Sequence, residues 1–381
     1  MSIEYGVFST AFGAYGISEI AERLALGGIK TTQFYPLVGG EWLGPEAFTE
    51  KLIREINVAF AKNRVDIVAV GAGNRFVSAN VDEAKKTFAD TKKWIEIAAK
   101  IGAKYAVIEA GTTHRTKFWT DTADNHSAET WRGAVRIFRQ LAKHAQKFGV
   151  TIGIEPHHAS VVRDAAELRK IIDDVGEPNF KAVIDPANSI TKENAQNQNT
   201  ELETLFQIIG DDFVLAHAKD AKIVKGNPEL GPAGTGVLPY GTYIRLLKDS
   251  GYKGPLLLEY TGEDFSAPLR HIQNSAVPPF LRPLAEGDPV LYDAVQRVQD
   301  IHHGTAGSIP LKYRLLLTVV ADTLALHPAG AVACAKEALA AGATREQIAE
   351  AIRVAYAAGG LPPVLESIDI YKEVIIDGTA L

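Results

Sequence analysis

Between residue 5 and about residue 260, short apolar, β-branched runs alternate with longer amphipathic stretches at intervals of about 30 residues, and the runs number eight. They lie at 5–10 (YGVFST), 29–35 (IKTTQFY), 66–71 (DIVAVG), 104–109 (KYAVIE), 150–155 (VTIGIE), 180–185 (FKAVID), 213–217 (FVLAH) and 255–259 (PLLLE). Runs this apolar suit strands buried on both faces, the condition inside a parallel sheet covered by helices. Helical spacing is clearest at 81–101, through Phe88, Ile95 and Ala98, and at 128–148, through Trp131, Val135, Phe138, Leu141 and Ala145. Each stretch meets a glycine, Gly102 or Gly149, where a left-handed C-cap belongs. Eight strand-helix units predict an α/β fold, a (β/α)8 TIM barrel over residues 1–276. A doubly wound open sheet is the weaker reading, because no G-x-G-x-x-G follows the first strand.

The stretch VPPFLRPLAEGDP at 277–289 holds four prolines and a glycine, which a helix does not tolerate, and reads as a linker. Beyond it, 290–381 reads as a small all-α domain, with Gly342 stopping one helix, Thr344 and Gln347 forming a capping box, and Ile348 and Ile352 opening an apolar stripe. At 381 residues the chain is long enough for two domains. A net charge of -6 without a basic run argues against nucleic acid, and no apolar stretch is long enough to cross a membrane. One cysteine, Cys334, and an N-terminus without signal-peptide character predict a cytoplasmic protein.

Side chains at the C-terminal ends of barrel strands converge on one bowl, where active sites of this architecture lie. Four consecutive strands end in groups able to bind metal: Glu155, Asp185, His217 and Glu259, at spacings of 30, 32 and 42 residues. Adjacent strands lie about 4.8 Å apart, so neighbouring ends can share one ion. Three clustered carboxylates without a cation would repel. The mainly oxygen donor set suits Mn²⁺ or Mg²⁺, with Zn²⁺, Co²⁺ or Fe²⁺ as alternatives.

The strings GIEPHH, VIDPAN, VLAHAKD, GTGVLPY and LLLEY resemble the xylose isomerase-like barrels of the sugar phosphate isomerase/epimerase superfamily over about residues 5–275. The resemblance implies one divalent cation on Glu155, Asp185, His217 and Glu259, with Glu155 and Glu259 as acid/base groups on opposite sides of a sugar. It departs at Asn188, where several epimerases and the endonuclease branch carry histidine. Asparagine cannot take a proton, which leaves Asn188 as a candidate substrate contact. The implied activity is isomerisation or epimerisation of a sugar or sugar-derived keto compound, through proton removal beside a carbonyl and an enediolate stabilised by metal. The alternative on the same site is a lyase or dehydratase acting on an inosose-like or dehydroshikimate-like substrate or an oxidised glycoside. A DNA repair nuclease and a non-catalytic binding protein are the remaining classes; charge and Asn188 speak against the first, the intact ligand set against the second.

Around the bowl, His157 is a candidate for a substrate oxygen and His158 for capping the next helix. Lys219 can neutralise an oxyanion, and Asp220 can orient that lysine or the imidazole. Glu109 ends the fourth strand and is a further substrate candidate, as is Arg115 in the long loop GTTHRTKFW. Phe8, Tyr35 and Trp119 are candidates for the pocket wall, and the glycine-rich stretch 226–236 for a phosphate cradle. Residues 290–381 resemble the carboxymuconolactone decarboxylase and alkylhydroperoxidase-like helical family. Its peroxidase branch needs a C-x-x-C pair followed by histidine; His327 and Gly330 stand at the cysteine positions and Cys334 at the histidine. With one thiol, disulfide chemistry is lost. Cys334 is expected to be a buried small apolar residue, His302 and His303 are weak candidates for residual activity, and the domain is expected to build a homo-oligomer.

Overall fold

The computed structural model describes residues 3–277, 281–288, 291–292, 294–295, 298, 302 and 308–376. His303 lies outside the described residues. The chain divides into two units, Ser2–Pro278 and Pro279–Leu381.

In the first unit each of the eight apolar runs forms a strand: β1 (Tyr5–Val7), β2 (Thr31–Phe34), β3 (Asp66–Gly73), β4 (Tyr105–Glu109), β5 (Thr151–Glu155), β6 (Phe180–Ile184), β7 (Phe213–Ala218) and β8 (Leu256–Leu258). They join in one parallel sheet of order β1-β8-β7-β6-β5-β4-β3-β2. The barrel is nearly closed between β1 and β2, where side chains take over from the ladder. Thr32 Oγ1 donates to Val7 O at 2.6 Å, and Tyr35 N donates to Ser9 Oγ at 2.9 Å. A Cβ on Gly6 would meet Thr31 O at 2.5 Å, so only glycine permits this approach.

Two apolar layers follow from strands buried on both faces. Outside, helices such as Val81–Lys100 and Ala128–Gln146 pack Ile95, Phe138 and Leu141 against the sheet. Asn80 and Ser127 cap their N-termini, and Gly102 and Gly149 follow them with φ of +78° and +67°. Inside, Phe8, Ala69, Val107, Val183, Leu215 and Leu257 fill the barrel. β5 contributes Gly153 to this layer, where a Cβ would meet Val183 Cγ2 at 2.7 Å.

Two hairpins stand outside these expectations. One pairs Leu37–Val38 with Glu41–Trp42. The other pairs Asp220–Val224 with Asn227–Gly231 around Lys225 and Gly226, whose φ of +50° and +84° suit a type I′ turn. Part of the glycine-rich 226–236 stretch is therefore strand, which corrects its reading as a phosphate cradle.

The second unit is helical over Leu311–Leu324, Pro328–Ala340, Arg345–Gly359 and Leu361–Glu366, around a core that includes Val319, Ala335, Ile348 and Ile352. The capping box is formed: Gln347 N donates to Thr344 Oγ1 at 3.2 Å, and Thr344 N donates to Gln347 Oε1 at 3.0 Å. Cys334 is half-buried, its Sγ 3.8 Å from Asp322 Oδ2, and burial pushes its thiol up to about 11, away from thiolate chemistry. His327 is exposed, and His302 Nε2 lies 3.0 Å from Thr318 Oγ1. Among the described residues no helix is long and apolar enough to cross a membrane.

Candidate metal centre

Strand periodicity aims the site. Alternate residues of a strand share a face, so a residue two beyond an interior one points inward again. Gly153, Val183, Leu215 and Leu257 lie in the barrel interior, and Glu155, Asp185, His217 and Glu259 follow each of them by two. Their ligand atoms lie within 4.8 Å of one another. Glu155, Asp185 and His217 are buried, and Glu259 sits at the rim of the bowl.

The donors fit a cation. His217 Nδ1 lies 3.4 Å from Glu155 Oε2 and 3.5 Å from Asp185 Oδ2, while its other nitrogen, Nε2, meets Gln33 Oε1 at 3.1 Å. A carboxamide oxygen only accepts, so Nε2 carries the proton and Nδ1 faces the carboxylates. Neither Asp185 oxygen nor His217 Nδ1 has a hydrogen-bond partner, although all are buried. Buried polar atoms without partners are rare in folded proteins, and here they converge on one point. Asn188 Nδ2 donates to Glu155 Oε1 at 2.5 Å and so orients that carboxylate.

Lys219 completes the cluster. Its Nζ lies 2.7 Å from Glu259 Oε2, 2.9 Å from Asp185 Oδ2 and 3.6 Å from Glu155 Oε1. Burial works against its charge, but Asp185, Glu259 and Glu155 hold the ammonium well above its ordinary range. Burial likewise works against a charged His217, yet Glu155 and Asp185 raise it to about 10. The carboxyl of Asp185 is opposed by burial but held well below the usual range by Lys219 and His217. Glu259 goes the other way: burial lifts it to about 7 against the pull of Lys219. Burial, with the charge of Glu155 added, lifts Glu109 to about 8.

Sequence reasoning brings some of the remaining candidates to the bowl and not others. Glu109 lies beside Glu155 in register and accepts from Trp119 Nε1 at 2.7 Å. Phe8, Tyr35 and Trp119 line a cavity of about 560 Å³ together with Glu109, Glu155 and Glu259. His157 is buried, stacked between Trp119 and His158, and pushed down to about 2 chiefly by burial, so it is a neutral imidazole. Ala159 N donates to His157 Nδ1 at 3.2 Å, which places the ring proton on Nε2. His158 packs instead on Asn188 O, 3.0 Å from its Nδ1. Asp220 is corrected: its carboxylate accepts from Ala221 N, Gly234 N and Leu238 N at 2.9, 3.1 and 3.0 Å, and it fastens the loop after β7. Arg115 is corrected as well, since its side chain is exposed and outside the cavity lining.

Gln33 and Arg75 escaped the sequence reading. Gln33 lies 184 residues from the histidine it orients, and no spacing signals such a pair. The buried guanidinium of Arg75 donates to the carbonyls of His114, Arg115 and Lys117 and pairs with Glu83 at 2.8 Å, which holds the long loop after β4. Replacing Gln33 with Leu is expected to lower divalent-metal affinity by about 10- to 100-fold with the barrel intact, measured by calorimetric titration with Mn²⁺. Unchanged affinity would show that His217 needs no orienting partner.

A nearly closed parallel barrel with three carboxylates and an imidazole at its strand ends defines a metal-site barrel protein. The chain belongs to the xylose isomerase-like TIM barrel family, whose model matches residues 24–281; the carboxymuconolactone decarboxylase family model matches residues 289–373. Inosose dehydratase from Erwinia tasmaniensis is 27% identical over 146 residues, 35% of this chain and 48% of that protein, so the match spans about half the length of that relative. Among solved structures, a xylose isomerase-like TIM barrel protein from Mycobacterium smegmatis in complex with magnesium is similar with a TM-score of 0.54 and 15% identity, over 72% of this chain and 95% of that one. The 3-keto-D-glucoside 4-epimerase from E. coli gives a TM-score of 0.55 at 15% identity, over 72% and 98%. These structures share the fold.

Proposed function

We propose that the barrel is a divalent-metal-dependent isomerase or epimerase of a sugar or sugar-derived keto compound. The observation that carries this reading is the convergence of buried, unpartnered ligand atoms from Asp185 and His217 with two carboxylates, Glu155 and Glu259, that also line the substrate-sized cavity. A divalent cation held by these four side chains supplies stabilisation of the negative charge that grows on a sugar oxygen when a neighbouring carbon loses its proton. The protein's own groups handle that proton. Glu259, near 7, is poised both to accept and to return a proton at neutral pH, and Glu155 is the second carboxylate facing the cavity. Neutral His157 Nε2–H is a donor suited to an uncharged hydroxyl or carbonyl. Lys219 lowers the local cost of a developing oxyanion.

A dehydratase is the second reading, favoured by the sequence match to inosose dehydratase. Both reactions begin with proton loss beside a carbonyl. Metal-loaded protein incubated with a panel of keto-sugars and inososes in D₂O is expected to incorporate deuterium at carbon with no loss of water. A product lighter by one water moves the assignment to the dehydratase; no deuterium uptake and no mass change across the panel overturns both. For the helical unit we propose assembly of subunits rather than redox chemistry, supported by its single thiol and family match.

A further inference from the structure

Five aromatic side chains of the barrel unit stand exposed among the described residues: Trp42, Phe118, Trp119, Phe148 and Tyr260. All but Phe148 line the one cavity above the metal centre. Exposed aromatic surface gathered at a single mouth marks a binding site rather than random surface composition. The backbone is bent to put two of these rings there: Trp119 has φ of +44° and Tyr260, directly after Glu259, has φ of +56°. Bulky side chains rarely adopt this left-handed region, and each costs about 1–3 kcal/mol, a strain concentrated at binding sites. Trp119 is further held by its hydrogen bond to Glu109, and Trp42 lies edge-on to Tyr35.

The charge of the lining is one-sided. Glu109, Glu155 and Glu259 face the cavity, and no lysine, arginine or histidine lines it among the described residues. Lys219 is engaged by Glu259 and Asp185, and the nearby Arg75 guanidinium by three carbonyls and Glu83. A phosphate or carboxylate on the substrate would meet carboxylates with no free cation to receive it. Size gives a second limit. Even at the roughly 30 Å³ that one water claims in the liquid, the heavy atoms of a hexose would take about 360 Å³, well short of the 560 Å³ present.

From these observations we infer that the substrate is an uncharged, unphosphorylated sugar bearing a second ring, a glycoside, with that second ring stacked among Trp42, Phe118, Trp119 and Tyr260 at the mouth. The inference rests on the proposed reading of the site, since it takes the reacting sugar to lie at Glu155 and Glu259. Sugar C–H faces and aromatic aglycones both pack on aromatic side chains, and the remote ring provides binding energy away from the reacting carbon.

Three of the four tryptophans, Trp42, Trp94 and Trp119, line the cavity, so intrinsic fluorescence reports its occupancy. Titration of the full chain, with and without Mn²⁺, would compare phenyl β-D-glucoside, cellobiose, glucose, glucose 6-phosphate and phenol. The two-ring sugars are expected to bind at least about tenfold tighter than glucose and phenol, and glucose 6-phosphate no tighter than glucose. Trp42→Ala and Trp119→Ala should each remove that margin, with Trp42→Phe restoring most of it, while Mn²⁺ affinity by calorimetry stays as in the wild type. Equal binding of glucose and the glycosides, phenol binding as tightly as the glycosides, or preference for the phosphate would each overturn the inference. Absence of Mn²⁺ binding would instead count against the functional reading and leave the two-ring preference to be judged by fluorescence alone.

Discussion

Asp185→Asn is expected to weaken divalent-metal binding by at least about a thousandfold, on the order of 4 kcal/mol, and turnover is expected to fall with it. The reason is the position of this carboxylate. Both oxygens are buried without hydrogen-bond partners, and His217 Nδ1 and Lys219 Nζ lie 3.5 and 2.9 Å from Oδ2. Asparagine keeps the shape but removes the charge, and its amide nitrogen would face two cationic groups instead of binding them. Some stability is expected to go as well, because a buried ammonium loses a counter-charge. Calorimetric titration with Mn²⁺ and a thermal melt separate the two effects. Pairing the change with Glu155→Gln sharpens the outcome: a double variant that binds metal as tightly as the wild type would mean that the ion, if any, is held elsewhere.

Metal affinity is expected to rise steeply with pH. In the ion-free barrel His217 is raised to about 10 and Glu259 to about 7, so at neutral pH the first holds a proton and the second about half of one. Both must be deprotonated to ligate, so binding expels protons and higher pH favours it. From about pH 7 to pH 8.5 one proton from His217 gives roughly tenfold tighter binding per unit; below pH 7 Glu259 adds to the slope. Calorimetry in two buffers of different ionisation enthalpy should count about one and a half protons released at pH 7. Affinity independent of pH would mean that neither group is a ligand. The same shifts act on the stability of the ion-free fold with opposite sign. His217 is raised, so its contribution is complete below its ordinary value and is lost as pH climbs through about 10. Asp185 is depressed, so its contribution is present above the ordinary carboxylate range and fades only in strong acid.

Strand positions were legible because burial on both faces leaves a local mark, an uninterrupted apolar run, and eight such runs leave few architectures open. The ligand set was legible for a related reason. Strand ends are read from the runs, and each of Glu155, Asp185, His217 and Glu259 closes one. The residues that support them leave no such mark. Asn188 looked like a substrate contact and instead orients Glu155; Asp220 looked like a partner for the imidazole and instead fastens a hairpin loop. Arg115, the arginine that stood out in the long loop, lies exposed, while Arg75, unremarked in a short turn, is buried beneath that loop.

The sequence by itself determined the barrel, the helical second unit and the four groups able to hold a cation, because each depends on spacing along one strand or helix. Only the tertiary structure decided which nitrogen of His217 faces that cation, since Gln33 comes from the opposite side of the barrel. It also decided that Lys219 lies among the carboxylates and that Trp42, Phe118, Trp119 and Tyr260 share one mouth. Those outcomes rest on contacts across the closed barrel and on backbone turned into the left-handed region at Trp119 and Tyr260, and neither is encoded in the period of a single element.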